Sequence, residues 1–320
     1  MSNLETGHDF VTYSIVALDK GNGDMGVAVQ SHFFGAGRFV TWGAAGVGVV
    51  ATQSIVKTSY GPEGLSRMED GESPSTALQK LLSMDDGRVR RQVAMLNKYG
   101  DVAVHTGNEC IGAAGHHVGG GVCAQSNLVV SYGCSAAMVA AFEESSGDLS
   151  ERLMAALYAA EVTGGDLRGR QSAAMLIVRG VATGDLSYDR KIDLRVDDST
   201  DPLGDLDRLI RTERALSCLL RLLNEPGLFV GALTASADII AAAEAELLEG
   251  QEVLGQSNME PTLWLGFLYA RMGLMDRSLS LLSDVLKSNS HLPILLKRLG
   301  DAGLWNRSID ELDKFISEVV

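Results

Sequence analysis

Hydrophobic and polar positions change their period along this chain. Thr12–Leu18 (TYSIVAL) and Met25–Ser31 (MGVAVQS) are apolar runs either side of Asp19–Asp24 (DKGNGD), the pattern of a β-hairpin. Gly46–Gln53 reads as another strand. Arg91–Leu96 and Asp101–Thr106 form a second strand–turn–strand around Asn97–Gly100, and Val122–Gln125 and Gln171–Arg179 are further strands. Helical spacing interrupts these runs. Ser73-Pro74, a capping residue followed by proline at the first helical position, opens a helix over Ser75–Met84. Ser135–Ser145 and Ser150–Thr163 are alanine-rich and periodic. Several strands are apolar at successive positions, so both of their faces need cover. Hairpins with helices inserted in pairs predict a layered α+β sandwich, without the β-α-β-α alternation of a doubly wound fold.

From about Pro202 the strand pattern stops. Asp205–Leu223, Gly231–Glu249, Pro261–Met272, Asp276–Ser288 and Ser308–Val319 read as amphipathic helices. Glycine follows the same division: 27 of the 36 lie in residues 1–200, so the first part needs many tight turns and the second is mostly helix. Leu265-Gly266-x-x-Tyr269, with Gly273 beyond it, matches the first helix of a tetratricopeptide-like hairpin, although a plain helical bundle fits the pattern equally well.

Charge narrows the partners. With 27 Lys+Arg against 41 Asp+Glu the net charge is −14, a surface that repels phosphate backbones; nucleic acid and membrane are not expected partners. The N-terminus is polar, no apolar stretch approaches the ~20 residues that span a bilayer, and the expected location is cytoplasmic. Cys110, Cys123, Cys134 and Cys218 contain no C-x-x-C and read as reduced thiols. His116-His117 with His105 lacks any metal-ligand spacing, so no metal and no organic cofactor is expected.

The segment Gly164–Ala174 puts Asp166, Arg168, Arg170, Gln171 and Ser172 in a glycine-rich turn that enters an apolar strand. Such a turn either aims an Asp–Arg pair at a carboxylate or oxyanion or is tied down by that pair. Ser31 and His32 end the second strand and Gln53 ends the third; polar groups at strand ends are candidate site residues, and His32 is the general-base candidate by type. No G-x-S-x-G elbow exists. Thr12 opens the first strand. Its hydroxyl becomes a competent nucleophile when its own free α-amine acts as base, which requires Thr12 to be the first residue of the mature chain.

Thr12–Ala17, Gly26-Val27-Ala28-Val29-x-Ser31-x-Phe33-Phe34, Gly46-Val47-Gly48-x-x-Ala51-Thr52-Gln53 and Tyr60-Gly61-Pro62-x-Gly64-Leu65 occur in that order. They are followed by His105-Thr106-Gly107, Gly165-Asp166-x-Arg168-Gly169-Arg170-Gln171-Ser172 and Asp193–Asp198. With these motifs the chain resembles the domain of unknown function 1028 family over residues 12 to about 210, and that family resembles N-terminal nucleophile (Ntn) hydrolases. The resemblance implies a four-layer αββα sandwich over residues 12–205, which leaves 1–11 as an N-terminal extension or propeptide and the helical pattern at 206–320 as an all-α domain outside the shared region. This chain departs from the family in having residues ahead of Thr12, Ser126 before Asn127 where relatives tend to have Gly, and His32 where many have Lys.

Two functional readings follow. In the first the protein is an amidohydrolase that cleaves a small-molecule amide or ureido bond. Thr12 is the nucleophile; Ser31, His32, Asp166 and Arg168 orient groups or stabilise charge; Gln53, Asn127, Arg170, Gln171 and Ser172 bind substrate. In the second, residues 1–11 stay attached and the same fold binds a small ligand without catalysis. Hydrolysis through Ser14 or His32 without N-terminal exposure is a further alternative. The apolar helical tail suits a homodimer face.

Overall fold

In the computed structural model of the chain, residues 9–10, 12–304, 314 and 317 are described. The extension at 1–8, Val11 and nearly all of the helix expected over Ser308–Val319 lie outside the described residues. Two compact units divide the chain, Met1–Ile210 and Arg211–Val320.

The first unit holds two antiparallel sheets. One contains β1 (Asp9–Phe10), β4 (Thr41–Ala44), β5 (Gly48–Ile55), β6 (Arg91–Asn97) and β7 (Val102–Thr106), in the order β1-β5-β6-β7 with β4 also paired to β5. The other contains β2 (Thr12–Leu18), β3 (Met25–Ser31), β8 (Gly115–Gly119), β9 (Val122–Asn127), β10 (Ser172–Val178) and β11 (Arg190–Val196), in the order β11-β10-β3-β2-β9-β8. β2 is therefore an inner strand, paired with β3 on one side and β9 on the other.

Side chains alternate across a strand, and here both faces are buried. Val16, Val27, Val29 and Cys123 of one sheet share a core with Val49, Ala51, Ala94 and Leu96 of the other. On the outer face of the six-stranded sheet, Ile15, Ala28 and Met175 pack with Met138 of α4 (Cys134–Glu144) and Leu153 and Leu157 of α5 (Leu149–Val162). On the outer face of the other sheet, Val50, Val93 and Met95 pack with Tyr60 of α2 (Tyr60–Glu69) and Leu78 and Leu81 of α3 (Pro74–Ser83). Each fully buried aliphatic side chain contributes about 1.5–3 kcal/mol of transfer free energy, which is why continuous apolar strands demand both layers of cover. Caps fix the helix starts: Ser73 accepts from Thr76 N at 3.2 Å with Pro74 behind it, and Asp148 and Glu151 form a reciprocal capping box. Short helices α1 (Gly37–Val40) and α6 (Leu186–Asp189) complete the unit.

α7 (Pro202–Asn224) carries the division between the units within it. The second unit is helical through α8 (Ala237–Leu254), α9 (Glu260–Arg271), α10 (Met275–Ser288) and α11 (Leu292–Asp301), around a core that includes Phe229, Phe267, Leu268, Leu282 and Leu296. The helix expected from Gly231 begins six residues later. Gly231 has φ +70°, and Ser236 caps the helix by accepting from Ile239 N.

Candidate functional site

The inner faces of the two sheets are apolar in the middle and polar at one end. Parity explains which residues meet there. Thr12 and Ser14 lie on the same face of β2 as Val16. Ser31 shares a face with Val29, Gln125 and Asn127 with Cys123, Gln53 with Ala51, and Gln92 with Ala94. All seven polar residues are buried, at 1% exposure or less.

Each finds partners, as buried polar groups must. Thr12 Oγ1 donates to Ser31 Oγ at 3.2 Å. The Thr12 carbonyl accepts from Gln53 Nε2 at 3.1 Å and from Asn127 Nδ2 at 3.5 Å. Ser14 Oγ donates to Gln53 Oε1 at 2.6 Å, and Gln125 Nε2 reaches Ser14 Oγ at 3.3 Å and the Ala51 carbonyl at 3.1 Å. Gln92 Oε1 accepts from Gln53 Nε2 at 2.7 Å and Asn127 Nδ2 at 3.0 Å. Gln125 Oε1 is buried without a donor. Backbone geometry is unusual beside this network: Ser54 and Leu128, each immediately after a network residue, hold left-handed φ values of +68° and +51°. Such conformations cost of order 1–3 kcal/mol and concentrate at functional sites.

The turn after α5 docks at the same end of the six-stranded sheet. Asp166 bridges Val129, two residues past Asn127, and Leu167 N donates to the Leu128 carbonyl. The Asp166 carboxylate accepts from His32 N and from Arg168 N, each at 2.8 Å, and the Arg168 guanidinium lies 3.3–3.4 Å from it. Asp166 has no exposed side-chain surface while Arg168 keeps 33%. The pair thus fastens the turn to the end of β3, directly beside Ser31.

Thr12, Ser31, Gln53 and Asn127 therefore meet in one network, with Asp166 and Arg168 joined to it through the backbone of His32. The other expected groups face elsewhere. His32 Nδ1 shares a bond with the Arg170 carbonyl at 3.3 Å. The Arg170 guanidinium is held by Glu161, whose hydrogen bond and charge raise its pKa. Gln171 donates to Asp198, and Ser172 Oγ donates to the Phe33 carbonyl and accepts from Ala36 N. The last three positions brace loops, because the Arg170–Ser172 segment leads the chain into β10 alongside β3.

Gln92 was not among the expected site residues. Its signal was a glutamine on the face of β6 that is otherwise apolar. Gln92 Nε2 also donates to Thr106 Oγ1, which shares a 2.9 Å bond with His116 Nδ1. Burial, with the neighbouring His105 and His117, pushes the His116 imidazole pKa down. Among the described residues no group of three or more His, Cys, Asp or Glu side chains is placed to hold a metal ion, and no helix is long and apolar enough to cross a membrane. A cleft of about 650 Å³ opens at the other end of β5, lined by Ala45–Val47, Glu72, Lys98 and Tyr99 among others. It is separate from Thr12, since Gly48 and Gln53 mark opposite ends of that strand.

No curated protein matches this chain. A crystal structure of a protein from Silicibacter pomeroyi, itself assigned the family model DUF1028, is similar: 32% identical, covering 63% of this chain and 85% of that one, with a TM-score of 0.58. The model of the family of unknown function DUF1028 matches residues 12–206, from the first residue of β2 into α7. The chain belongs to the DUF1028 family.

Proposed function

We propose that this protein is an Ntn-type amidohydrolase whose nucleophile is Thr12 and whose substrate is a small-molecule amide or ureido compound. The observation that carries this reading is the placement of Thr12. Its hydroxyl is buried at the polar end of the inner sheet faces, 3.2 Å from Ser31 Oγ, and its carbonyl faces two side-chain amides. The two sheets with helices outside them support the four-layer αββα reading of the first unit. The α9–α10 pair, with Gly266 against Leu282, supports a tetratricopeptide-like reading of the second.

The chemistry requires the Val11–Thr12 bond to be open. A free α-amine has a reference pKa of about 7.7–8.0, suited to base work near neutrality. It takes the hydroxyl proton as Thr12 Oγ1 adds to the substrate carbonyl. It then delivers that proton to the departing nitrogen as the C–N bond breaks, leaving an ester that water hydrolyses. Ser31, Gln53 and Asn127 are the nearest polar groups available to steady the developing charge.

A second reading, a binding protein that keeps its extension, draws on a different observation. β1 pairs with β5 through Asp9↔Ile55 and Phe10↔Ser54, so these two residues ahead of Thr12 have a seat on the fold. One experiment separates the two. A chain expressed as Met followed by Thr12, with the Met removed in the cell, is treated with a β-lactone acylating probe and a panel of small amides and ureido compounds. Acylation mapped to the N-terminal threonine, and turnover abolished in Thr12→Ala, is the expected result. Turnover equal in Thr12→Ala, or an unreactive exposed Thr12, would overturn the enzyme reading.

A further inference from the structure

We propose that Gln92 is the positioning residue of the Thr12 site, an assignment that rests on the reading of Thr12 as nucleophile. Gln92 lies on the five-stranded sheet and Thr12 on the other, so the link runs between the sheets. The Gln92 side chain has no exposed surface. Its Nε2 lies 3.0 Å from each of three acceptors that share its two N–H groups, Thr106 Oγ1 and the Gly115 and Ser126 carbonyls. Two of these acceptors are main-chain carbonyls, which cannot donate. They therefore fix which end of the Gln92 amide is nitrogen.

That choice propagates. With Nε2 committed to the carbonyls, Oε1 faces Gln53 and Asn127 and can bond only to donors, so each must present its NH2 group there. Each NH2 group has a second N–H; that of Asn127 reaches the Thr12 carbonyl, and that of Gln53 reaches it at 3.1 Å with the Gln125 carbonyl farther off at 3.4 Å. The polarity of two main-chain carbonyls in the β8–β9 hairpin is thereby transmitted through Gln92 to the two amides that hold Thr12. With its carbonyl held, the Thr12 backbone cannot rotate freely, and Oγ1 stays directed at Ser31. Glutamine is specified at this position. A glutamate would set an oxygen against the Gly115 and Ser126 carbonyls, and an apolar residue would leave two NH2 groups without their acceptor.

The test uses the full chain beginning at Thr12. Gln92→Met keeps the shape and removes both ends of the amide. Two readouts are taken. The first is the rate of Thr12 acylation by the β-lactone, relative to that of surface lysines, across pH 6–9. The second is the hydrogen exchange of the Gln53 and Asn127 side-chain amides by nuclear magnetic resonance. A displacement of the nucleophile should lower the relative Thr12 rate by about ten-fold or more with the lysines unchanged. The two amides should lose their protection. A folded Gln92→Met with unchanged relative rate and unchanged amides overturns the proposal. If Thr12 is unreactive in the parent, the nucleophile reading fails, and the amide signals alone decide whether Gln92 positions Gln53 and Asn127. Should Gln92→Met fail to fold, Gln92→Asn, whose amide is one methylene too short to reach both the hairpin carbonyls and the two NH2 groups, is expected to show the same losses, and parent-like values in it would refute the assignment.

Discussion

Replacing Asp85 tests whether the start of β6, one residue ahead of Gln92, is held by a buried ion pair. Asp85 and Arg91 are 4% and 5% exposed. The carboxylate accepts from Arg91 Nε at 2.9 Å, Arg91 Nη2 at 3.4 Å, Tyr60 Oη at 3.0 Å and Gly87 N at 3.1 Å, with Lys57 Nζ at 3.6 Å. Arg91 in turn donates to the Ile55 carbonyl at 2.7 Å, joining the end of β5 to the start of β6. Asp85→Ala leaves a buried guanidinium without its counter-charge, a loss of about 3–5 kcal/mol. Asp85→Asn keeps one oxygen and sets an NH2 group against a donor; with hydrogen bonds to charged groups worth about 1.5–3 kcal/mol, it should cost about 2–3 kcal/mol. With m of about 3 kcal/mol per M, that is a urea midpoint lower by just under 1 M for the asparagine variant. Trp42, which packs in the same cluster as Tyr60, reports the transition once Trp264 and Trp305 are replaced by Phe.

The pH dependence of that difference has a definite sign. Burial alone would raise the Asp85 pKa, but the hydrogen bonds and charge of Arg91, with Tyr60 and Gly87, hold it below the ordinary value. A carboxylate depressed in the folded state contributes stability that is complete above its unfolded pKa, about 3.9, and is lost as pH falls through the folded value. The gap between parent and Asp85→Asn should be constant from pH 7 to about 5 and close below about pH 4. Equal midpoints at pH 7, or a gap that widens in acid, would refute the reasoning.

Two further outcomes are expected. Asp166→Ala orphans the backbone N–H groups of His32 and Arg168, and should lower stability of the first unit by about 2–4 kcal/mol; an unchanged urea midpoint would mean the turn is not fastened by that carboxylate. Gly61→Ala gains about 1 kcal/mol of helix propensity, but its Cβ would lie under 3.0 Å from three atoms of the Trp42 ring, so overpacking of about 1–3 kcal/mol or more should dominate and differential scanning calorimetry should show a lower first-unit transition.

Apolar runs with hairpin turns were legible because burial on both faces leaves a continuous signal; β2 and β3 span the residues that the pattern marks. The edge strands of the six-stranded sheet were not. β8 reads Gly-His-His-Val-Gly, with its middle residues exposed. β11 alternates Ile192, Leu194 and Val196 with charges, so it lacks the continuous apolar run that marked the inner strands. α2 was hidden by Gly61, Pro62 and Gly64, which suggest a turn. Contact with Trp42 and Met95 gives these two glycines a packing reason instead. At the site, Thr12, Ser31 and Gln53 could be named from strand ends and Asn127 from the family resemblance, but their meeting depends on how two sheets register. Gln171 and Ser172 could not be separated from them, because a sequence shows that a turn is polar and does not show which way its side chains point.

The two-residue strand β1 has a consequence for how the proposed enzyme would be switched on. Asp9 and Phe10 are its whole length, and pairs that short have negligible affinity of their own. They stay on β5 through effective concentration, which the covalent continuity with Thr12 supplies at roughly millimolar levels or above. Opening the Val11–Thr12 bond would remove that tether, and with it the effective concentration that holds Asp9 and Phe10 on β5. Their seat, at Ser54 and Ile55 immediately past Gln53, would then lose its covalent hold through the event that creates the amine. Creation of the amine and loosening of the strand beside it would thus be coupled in one bond cleavage.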